Sequence, residues 1–348
     1  MQPDRPLFPA NGLNVGLDVA RCRDMSRSRW LLVAVLSTAS CSHALRNTSK
    51  PPERTPIAQL WVSPTNIQQL DLFTGVGGQE YRPSTTSFRF VAIDTKGASP
   101  GYDVTDAKGV KWSVKTGVEV QPEIVVSRIL WAIGFHQPPA YFVPDWTLTG
   151  GPGGVPTPPA RFRPELTGYS VEGEWSWFEN PFVGTRQFEG LIAANALLSN
   201  WDFKSSNNKV YHRRPGAEAN LPLRMYIVRD LGASLGKSSQ PAILRVTGVI
   251  RALPGTKSDI EGFEEQGFVA LGENGRPKFS YRGPRRDLLD AVSVDGVVWM
   301  CQLMSRLSDR QLTDAFRAAD YPPDLTRRFV KRIREKIAEG LALRGSRS

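Results

Sequence analysis

The early part of the chain alternates apolar and polar residues with the two-residue period of β-strands. Residues 87–95 (SFRFVAIDT) show this alternation, and residues 102–105 and 110–116 are also rich in strand-forming side chains. Short turns at residues 96–101 and 106–109 separate the three segments. The pattern therefore predicts three consecutive antiparallel strands.

Farther along, the apolar residues recur every three or four positions, which is the spacing of amphipathic helices. This spacing predicts helices at residues 123–134, 185–199, 285–292, 297–307, 308–318 and 323–342. Two strands at residues 209–213 and 223–228, and a short one at residues 57–62, complete the predicted elements. Because strands dominate the first part and helices the second, we predict an α+β fold with two lobes, an antiparallel-sheet N-terminal lobe and a mostly helical C-terminal lobe.

Changes in composition predict where these lobes begin and end. Residues 45–58 are polar and proline-rich, as in a linker, and residues 149–159 are rich in glycine and proline. We therefore divide the chain into an export-signal region (1–44), a linker (45–58), a β-rich N-terminal lobe (59–145), a hinge with a Gly/Pro-rich insertion (146–180) and a helical C-terminal lobe (181–348).

The N-terminal region has the order of an export signal. Two arginines precede a short apolar core at residues 30–36, which is too short to span a bilayer, and small residues follow it. Met25 is a candidate for the true start, because the signal order begins there. Cleavage after Ala44 would release the protein, whereas cleavage before Cys41 would produce a membrane-anchored lipoprotein. We predict an exported, periplasmic or membrane-anchored protein; the alternative is a basic leader on a cytoplasmic one.

The charge distribution predicts no nucleic-acid partner. The formal net charge is +10, but residues 1–50 contribute +4 and residues 325–348 contribute +6, so that the central body is neutral. The basic C-terminal segment has Phe329 as its one aromatic residue, and its charges fit the solvated face of a helix. The three cysteines and three histidines have neither disulfide nor zinc spacing, and Cys301 lies in an apolar run that predicts a buried side chain.

Polar residues in the middle of the chain have the types and the order that phosphoryl transfer requires. This chemistry needs a cation on the nucleotide phosphates, oxygen ligands for Mg²⁺ and a carboxylate that orients the attacking hydroxyl. In NWDFKSSNN, Asp202 is the predicted catalytic carboxylate, and Lys204 could reach the transferred phosphate. Asn207 and Asp230 are the predicted metal ligands. Lys115, in the third predicted strand, is the predicted phosphate-holding lysine.

The turn at residues 96–101 is a second candidate for phosphate contact. Gly97 and Gly101 would let backbone N–H groups approach phosphate oxygens closely, and Ser99 adds a hydroxyl. These three residues are therefore predicted to help bind the nucleotide. An ordinary hairpin turn is the alternative.

Two glutamates are candidate partners for the Lys115 amine. Glu123 falls in the first turn of the helix predicted after the lysine strand, and a Lys–Glu pair there would hold the amine over the phosphates. Glu119 is the rival partner, and either glutamate could instead complement the helix dipole. Similarly, Asn208 would replace Asn207 as a metal ligand if the loop were shifted by one residue.

These motifs together resemble those of the protein-kinase fold. DFKSSN, at residues 202–207, matches the D-x-K-x-x-N catalytic loop, and DLG, at residues 230–232, is similar to the D-F-G metal motif. With WSVKTGVE and YIVRDLG around them, the chain resembles most the divergent bacterial branch of HipA-like and CotH-like kinases, over about residues 85–240. It departs from the usual pattern by having Asn200-Trp201 in place of His-Arg, and Leu231 in place of Phe.

The resemblance implies a kinase-like phosphotransferase with ATP and Mg²⁺ as cofactors. The acceptor would be a hydroxyl group, with a protein favoured over a lipid or a small molecule. The resemblance gives nucleotide binding to Lys115 and Glu123, catalysis to Asp202, and metal binding to Asn207 and Asp230.

The alternative is a non-enzymatic exported binding module on the same scaffold. Its candidate ligand surface is EWSWF, in which Trp175, Trp177 and Phe178 could stack on sugar or peptide; core packing is the other interpretation. A serine hydrolase is not favoured, because GASLG at residues 232–236 matches G-x-S-x-G but the last histidine, His212, precedes it.

Overall fold

A computed structural model describes residues 44–49, 55–95, 101–151, 157–218, 221–239 and 254–345. The predicted signal core and the turn residues Gly97 and Ser99 lie outside them. The strands are β1 (Arg46–Asn47), β2 (Ser87–Asp94), β3 (Gly101–Thr105), β4 (Lys111–Thr116), β5 (Tyr141–Val143), β6 (Thr147–Thr149), β7 (Ala160–Pro164), β8 (Tyr169–Gly173), β9 (Glu179–Asn180), β10 (Asn208–Arg213), β11 (Arg224–Val228), β12 (Val269–Leu271) and β13 (Pro277–Phe279). The helices are α1 (Val120–Ala132), α2 (Arg186–Leu197), α3 (Ile260–Glu265), α4 (Asp287–Asp290), α5 (Val294–Ser305), α6 (Asp309–Arg317) and α7 (Pro323–Ala342).

Six strands form the sheet of the N-terminal lobe, in the order β5–β7–β4–β3–β2–β6. β2, β3 and β4 are antiparallel neighbours, which confirms the three strands predicted from the alternating pattern. β7 pairs with both β4 and β5, so the sheet extends past residue 145, where we predicted the lobe to end. Trp112 and Phe162 belong to an aromatic cluster on one face, and because strand residues alternate, Lys115 and its neighbour Arg161 point to the other face.

The segment at residues 57–62 is not the strand that we predicted. Ile57–Gln59 forms a turn of 3₁₀-helix, and Trp61 makes an isolated β-bridge to Phe135. The reason is that this segment packs against the end of α1, where the Trp61 indole donates a hydrogen bond to Ile133 O (2.7 Å). Its apolar residues cover a helix end rather than pair along a sheet.

The predicted helices of the C-terminal lobe are confirmed, and capping residues set several of their starts. Thr185 caps α2 by accepting a hydrogen bond from Phe188 N (3.3 Å), and Ser308 and Gln311 form a capping box at the start of α6. α2, α5 and α7 pack around one apolar core, in which Cys301 is fully buried as predicted. The α+β class with a sheet lobe and a helical lobe is therefore confirmed. Among the described residues, no helix has both the length and the apolar composition needed to cross a bilayer.

The basic helix α7 carries one of its lysines into the core. Lys336 is 0% exposed, and its Nζ donates to Leu197 O (3.3 Å) and Ser199 Oγ (3.2 Å) and lies 3.5 Å from the centroid of the Phe263 ring. Burial lowers the pKa of Lys336 well below its usual value. Because Leu197 and Ser199 lie at the C-terminal end of α2, this lysine supports the start of the loop that follows.

The aromatic segment EWSWF is part of the core. Trp175, Trp177 and Phe178 are all buried, and the Trp177 ring packs against Phe188 and Phe203. A surface for stacking on sugar or peptide at this segment is therefore a wrong interpretation, and the core-packing interpretation is the correct one.

Candidate active site

Lys115 lies on β4, in the middle of the sheet, and contacts three carboxylates. Its Nζ is 2.6 Å from Glu119 Oε2 and 3.3 Å from Glu123 Oε2, and it also pairs with Asp230. Burial disfavours the charged amine, but the three carboxylates outweigh burial and raise the pKa of Lys115. The charged form of Lys115 is therefore favoured, and both glutamates offered by the sequence contact it.

Glu123 is the buried centre of a cluster of cations. Its side chain is 2% exposed, and its Oε1 lies 3.1 Å from Arg161 Nε and 2.5 Å from Arg163 Nη2. Burial would raise the pKa of this carboxyl, but Arg161, Lys115 and Arg163 hold it well below its usual value. Three cations therefore converge on one buried carboxylate.

Arg161 and Arg163 were not among the predicted site residues. They alternate with Ala160 and Phe162 in ARFRP, which is a strand pattern inside the predicted hinge and insertion. Their cross-strand register with β4 places both arginines on the same face as Lys115. The alternation could have shown the strand, whereas nothing in the local sequence identifies the carboxylate that both arginines bind.

Glu119 lies just before α1 and connects Lys115 to a later part of the chain. One carboxylate oxygen contacts Lys115, and the other contacts Lys257. Burial would raise the pKa of Glu119, but Lys115 and Lys257 lower it to about 2. Gly232, the glycine of DLG, lies directly against this residue: a Cβ there would stand 2.4 Å from Glu119 Cβ. The glycine is therefore required by the close approach of the two backbones.

Replacing Gly232 by alanine is expected to lower the free energy of unfolding by about 1–3 kcal/mol, the usual cost of overpacking. The added methyl group would overlap Glu119. Gly173→Ala is a matched control, because no heavy atom lies within 4 Å of the corresponding Cβ position. Urea denaturation of both variants measures the difference, and equal stabilities would contradict the close approach.

The loop that carries Asp202 is positioned by the end of α2. Ser199 has a φ of 55°, which is uncommon for a residue with a Cβ. The side chain of Asn200 donates to Asn195 Oδ1 (2.8 Å), and Asp202 N donates to Asn200 Oδ1 (3.2 Å). Asn200 is buried, and its side-chain amide links the end of α2 to the backbone of Asp202 by these two hydrogen bonds. This is the role of Asn200 where the kinase pattern has histidine.

Asp202, Lys204 and Asn207 contact one another within this loop. Lys204 Nζ lies 3.0 Å from Asp202 Oδ1, and Asn207 Nδ2 donates to Asp202 Oδ2 (3.1 Å). Because the nitrogen of the Asn207 amide faces Asp202, its oxygen is the atom that can coordinate a cation. Asn208 is buried in the core and donates to Trp175 O (3.2 Å), so the geometry favours Asn207 over the shifted alternative.

The hairpin of β10 and β11 brings Asp230 next to the loop. At the end of the hairpin, Arg229 N donates to Asn207 O (3.1 Å). Asp230 follows with a φ of 57°, a strained conformation that costs on the order of 1–3 kcal/mol and is common at functional sites. One continuous set of contacts therefore links these residues. Lys115 pairs with Asp230, the neighbouring Arg229 donates a backbone hydrogen bond to Asn207, and the Asn207 side chain donates to Asp202.

Gly101 is the described residue of the predicted phosphate turn. It begins β3 and pairs across the sheet with Lys115. A Cβ at Gly101 would stand 2.8 Å from Val114 O, so glycine permits the close approach of β3 to β4 at this point. The phosphate contacts of Gly97 and Ser99 stay predictions, because both residues lie outside the described ones.

The chemistry of these groups suits Mg²⁺ and a polyphosphate. Asp230, whose side chain is 43% exposed, offers a carboxylate, and Asn207 offers an amide oxygen. Mg²⁺ selects hard oxygen ligands and completes its shell with water and phosphate oxygens rather than with an all-protein cage. The cations around Glu123 suit the charge of phosphate groups.

Comparisons with known proteins identify no family for this chain. No family model matches the sequence, and no curated protein is significantly similar to it. Among solved structures, the chain is similar to the crystal structure of a Helicobacter pylori proinflammatory kinase, CtkA, with 13% sequence identity and a TM-score of 0.43. That match covers 76% of this chain and 100% of the other.

Proposed function

We propose that this protein is a kinase-like phosphotransferase that uses Mg²⁺-ATP and acts on a hydroxyl group, with a protein as the favoured acceptor. The observation that carries the proposal is the convergence of β4, the loop after α2 and the end of β11, which bring Lys115, Asp202, Asn207 and Asp230 into one connected set of contacts.

At the nucleotide end of the site, Lys115 holds the phosphates. Its three carboxylate partners keep the amine charged and restrict its direction, so little ordering remains to be done when a phosphate replaces one of them. Asp230 and Asn207 would hold Mg²⁺, which supplies charge neutralisation on the phosphate oxygens when bound. Arg161 and Arg163 add positive charge on the same face of the sheet.

At the acceptor end, Asp202 orients the attacking hydroxyl and accepts its proton. The aspartate is held from two sides, by the backbone contact to Asn200 and by the side chain of Asn207, so its carboxylate direction is fixed. Lys204 is 67% exposed and pairs with Asp202, so it can turn towards negative charge on the transferred phosphoryl group.

We also propose a branch of the kinase fold and a location for the protein. The motifs around residues 115, 202 and 230 support the divergent bacterial branch of HipA-like and CotH-like kinases. The N-terminal sequence supports an exported or membrane-anchored location, with Cys41 as the candidate lipid-bearing residue.

Mg²⁺-ATP is expected to stabilise the protein against thermal unfolding, by about 2.7 kcal/mol at a ligand concentration of about 100 times Kd. Asp230→Ala should abolish this shift, because it removes the principal metal ligand. Asp295→Ala, at an exposed position of α5, is the matched control and should keep the shift. Differential scanning fluorimetry makes the measurement. No shift with the unmodified protein would overturn the proposal and favour the non-enzymatic binding module.

A further inference from the structure

Lys257 connects two parts of the candidate site that are far apart in sequence. Its Nζ contacts the Glu119 carboxylate, whose other oxygen is 2.6 Å from Lys115 Nζ. The same ammonium lies 5.4 Å from the centroid of the Trp201 ring, within the range of a cation–π interaction. Trp201 directly precedes Asp202 in the chain. Lys257 therefore touches both the partner of the phosphate-holding lysine and the residue next to the catalytic aspartate.

The backbone around Lys257 is fixed in place by hydrogen bonds. The Trp201 indole donates to Thr256 O (3.0 Å), and Ser258 N donates to Ser234 O (3.0 Å), just after DLG. Gly255 lies so close to Trp201 that a Cβ there would stand 2.3 Å from the indole Cδ1. These contacts fix the backbone of Lys257 beside Trp201, and the ion pair with Glu119 directs its side chain.

The charges form an alternating series in which each member orients the next. Lys257 and Lys115 occupy the two oxygens of Glu119, and Lys115 in turn pairs with Asp230. If Lys257 lost its charge, the Glu119 carboxylate would no longer be held on that side. It could then turn both oxygens towards Lys115 and draw the Lys115 amine away from nucleotide phosphates.

We propose that Lys257 is a positioning residue of the phosphotransferase: it anchors Glu119, and through Glu119 it keeps Lys115 in the orientation that nucleotide phosphates require. The proposal rests on the proposed function for its kinetic consequence. Its structural content, that Lys257 orders the start of α1 and the Asp202 loop together, stands independently of that function.

Lys257→Met is expected to raise KM for ATP about five- to tenfold and to lower kcat by a smaller factor, because it breaks the contact to Glu119 whereas the hydrogen bond from the Trp201 indole to Thr256 O still supports the Asp202 loop. Methionine keeps an apolar stem over Trp201 and removes only the charge. Lys257→Arg should recover most of the affinity. Lys237→Met is the matched control: Lys237 is similarly exposed, at 32% against 27%, and pairs with Glu265 instead.

A double variant separates the contact to Glu119 from a general loss of stability. Lys257→Met added to Glu119→Gln should raise KM no further than Glu119→Gln alone, because both changes break the same contact. Additive effects, or a KM for Lys257→Met equal to that of Lys237→Met, would overturn the positioning role while the proposed function stands.

Hydrogen exchange measured by mass spectrometry tests the inference without activity. Lys257→Met should speed exchange in peptides that cover residues 117–123 and 200–207, and Lys237→Met should not. If the unmodified protein transfers no phosphate, the proposed function fails but this comparison still decides the positioning role. Unchanged exchange in both regions would overturn it.

Discussion

Replacing Asp202 by asparagine is expected to lower phosphate transfer by about 10²–10⁴-fold, the usual contribution of a positioned general base, while Mg²⁺-ATP binding stays nearly unchanged. Asparagine has the same shape, and its side-chain oxygen can still accept from Lys204 or Asn207. It cannot accept a proton from the acceptor hydroxyl. The proposed metal ligand Asp230 and the proposed phosphate-binding residue Lys115 are untouched by the change.

The measurement pairs a radiometric transfer assay, with a general protein acceptor, with the ATP-induced thermal shift. Asp324→Asn, at a position of α7 whose side chain is 82% exposed, is the matched control and should lose neither property. Loss of both transfer and thermal shift in Asp202→Asn would assign Asp202 to nucleotide binding. Full transfer would remove it from the catalytic role.

The sequence was most informative where function depends on neighbours in the chain. Asp202, Lys204 and Asn207 contact one another because a short loop keeps them within five residues. The hairpin was predicted from two strand patterns, and its antiparallel register is what brings Asp230 beside Asn207. Local pattern therefore predicts the position of these four residues, whereas their chemical roles stay predictions.

The sequence was least informative where a side chain owes its position to distant partners. Arg161 and Arg163 are charged residues in a strand that is buried throughout. Burying their charges is unfavourable unless a carboxylate pairs with them, and Glu123, some forty residues earlier in the chain, provides that carboxylate. Lys336 is buried in a helix that the charge pattern describes as solvated, because it meets the end of α2. The sequence pattern around each of these residues does not identify such a distant partner.

The two glutamates show why alternatives can both be correct. Lys115 contacts both Glu119 and Glu123, since three residues separate the end of β4 from the start of α1 and the two glutamates are one helical turn apart. They differ in their second partners. Glu119 faces Lys257, later in the chain, and Glu123 faces the arginines of the sheet. Together they join α1 to both lobes.

Glu123→Ala is expected to lower the free energy of unfolding by about 3–5 kcal/mol, the cost of leaving buried charges unpaired when one partner is removed. Arg161 and Arg163, 6% and 9% exposed, would keep their charges without this carboxylate. Glu119→Ala is the matched control and should cost less, because its side chain is more exposed, at 14% against 2%. Urea denaturation followed by circular dichroism compares the two.

The cause of that loss can be tested by removing the cations as well. Adding Arg161→Met and Arg163→Met to Glu123→Ala replaces the stranded charges by apolar side chains, and buried ion clusters replaced in this way often regain stability. We therefore expect the triple variant to be more stable than Glu123→Ala alone. If it is not, the destabilisation comes from the packing of α1 rather than from charge. The ATP-induced thermal shift should stay reduced in the triple variant, because Lys115 has still lost one of the carboxylates that direct it.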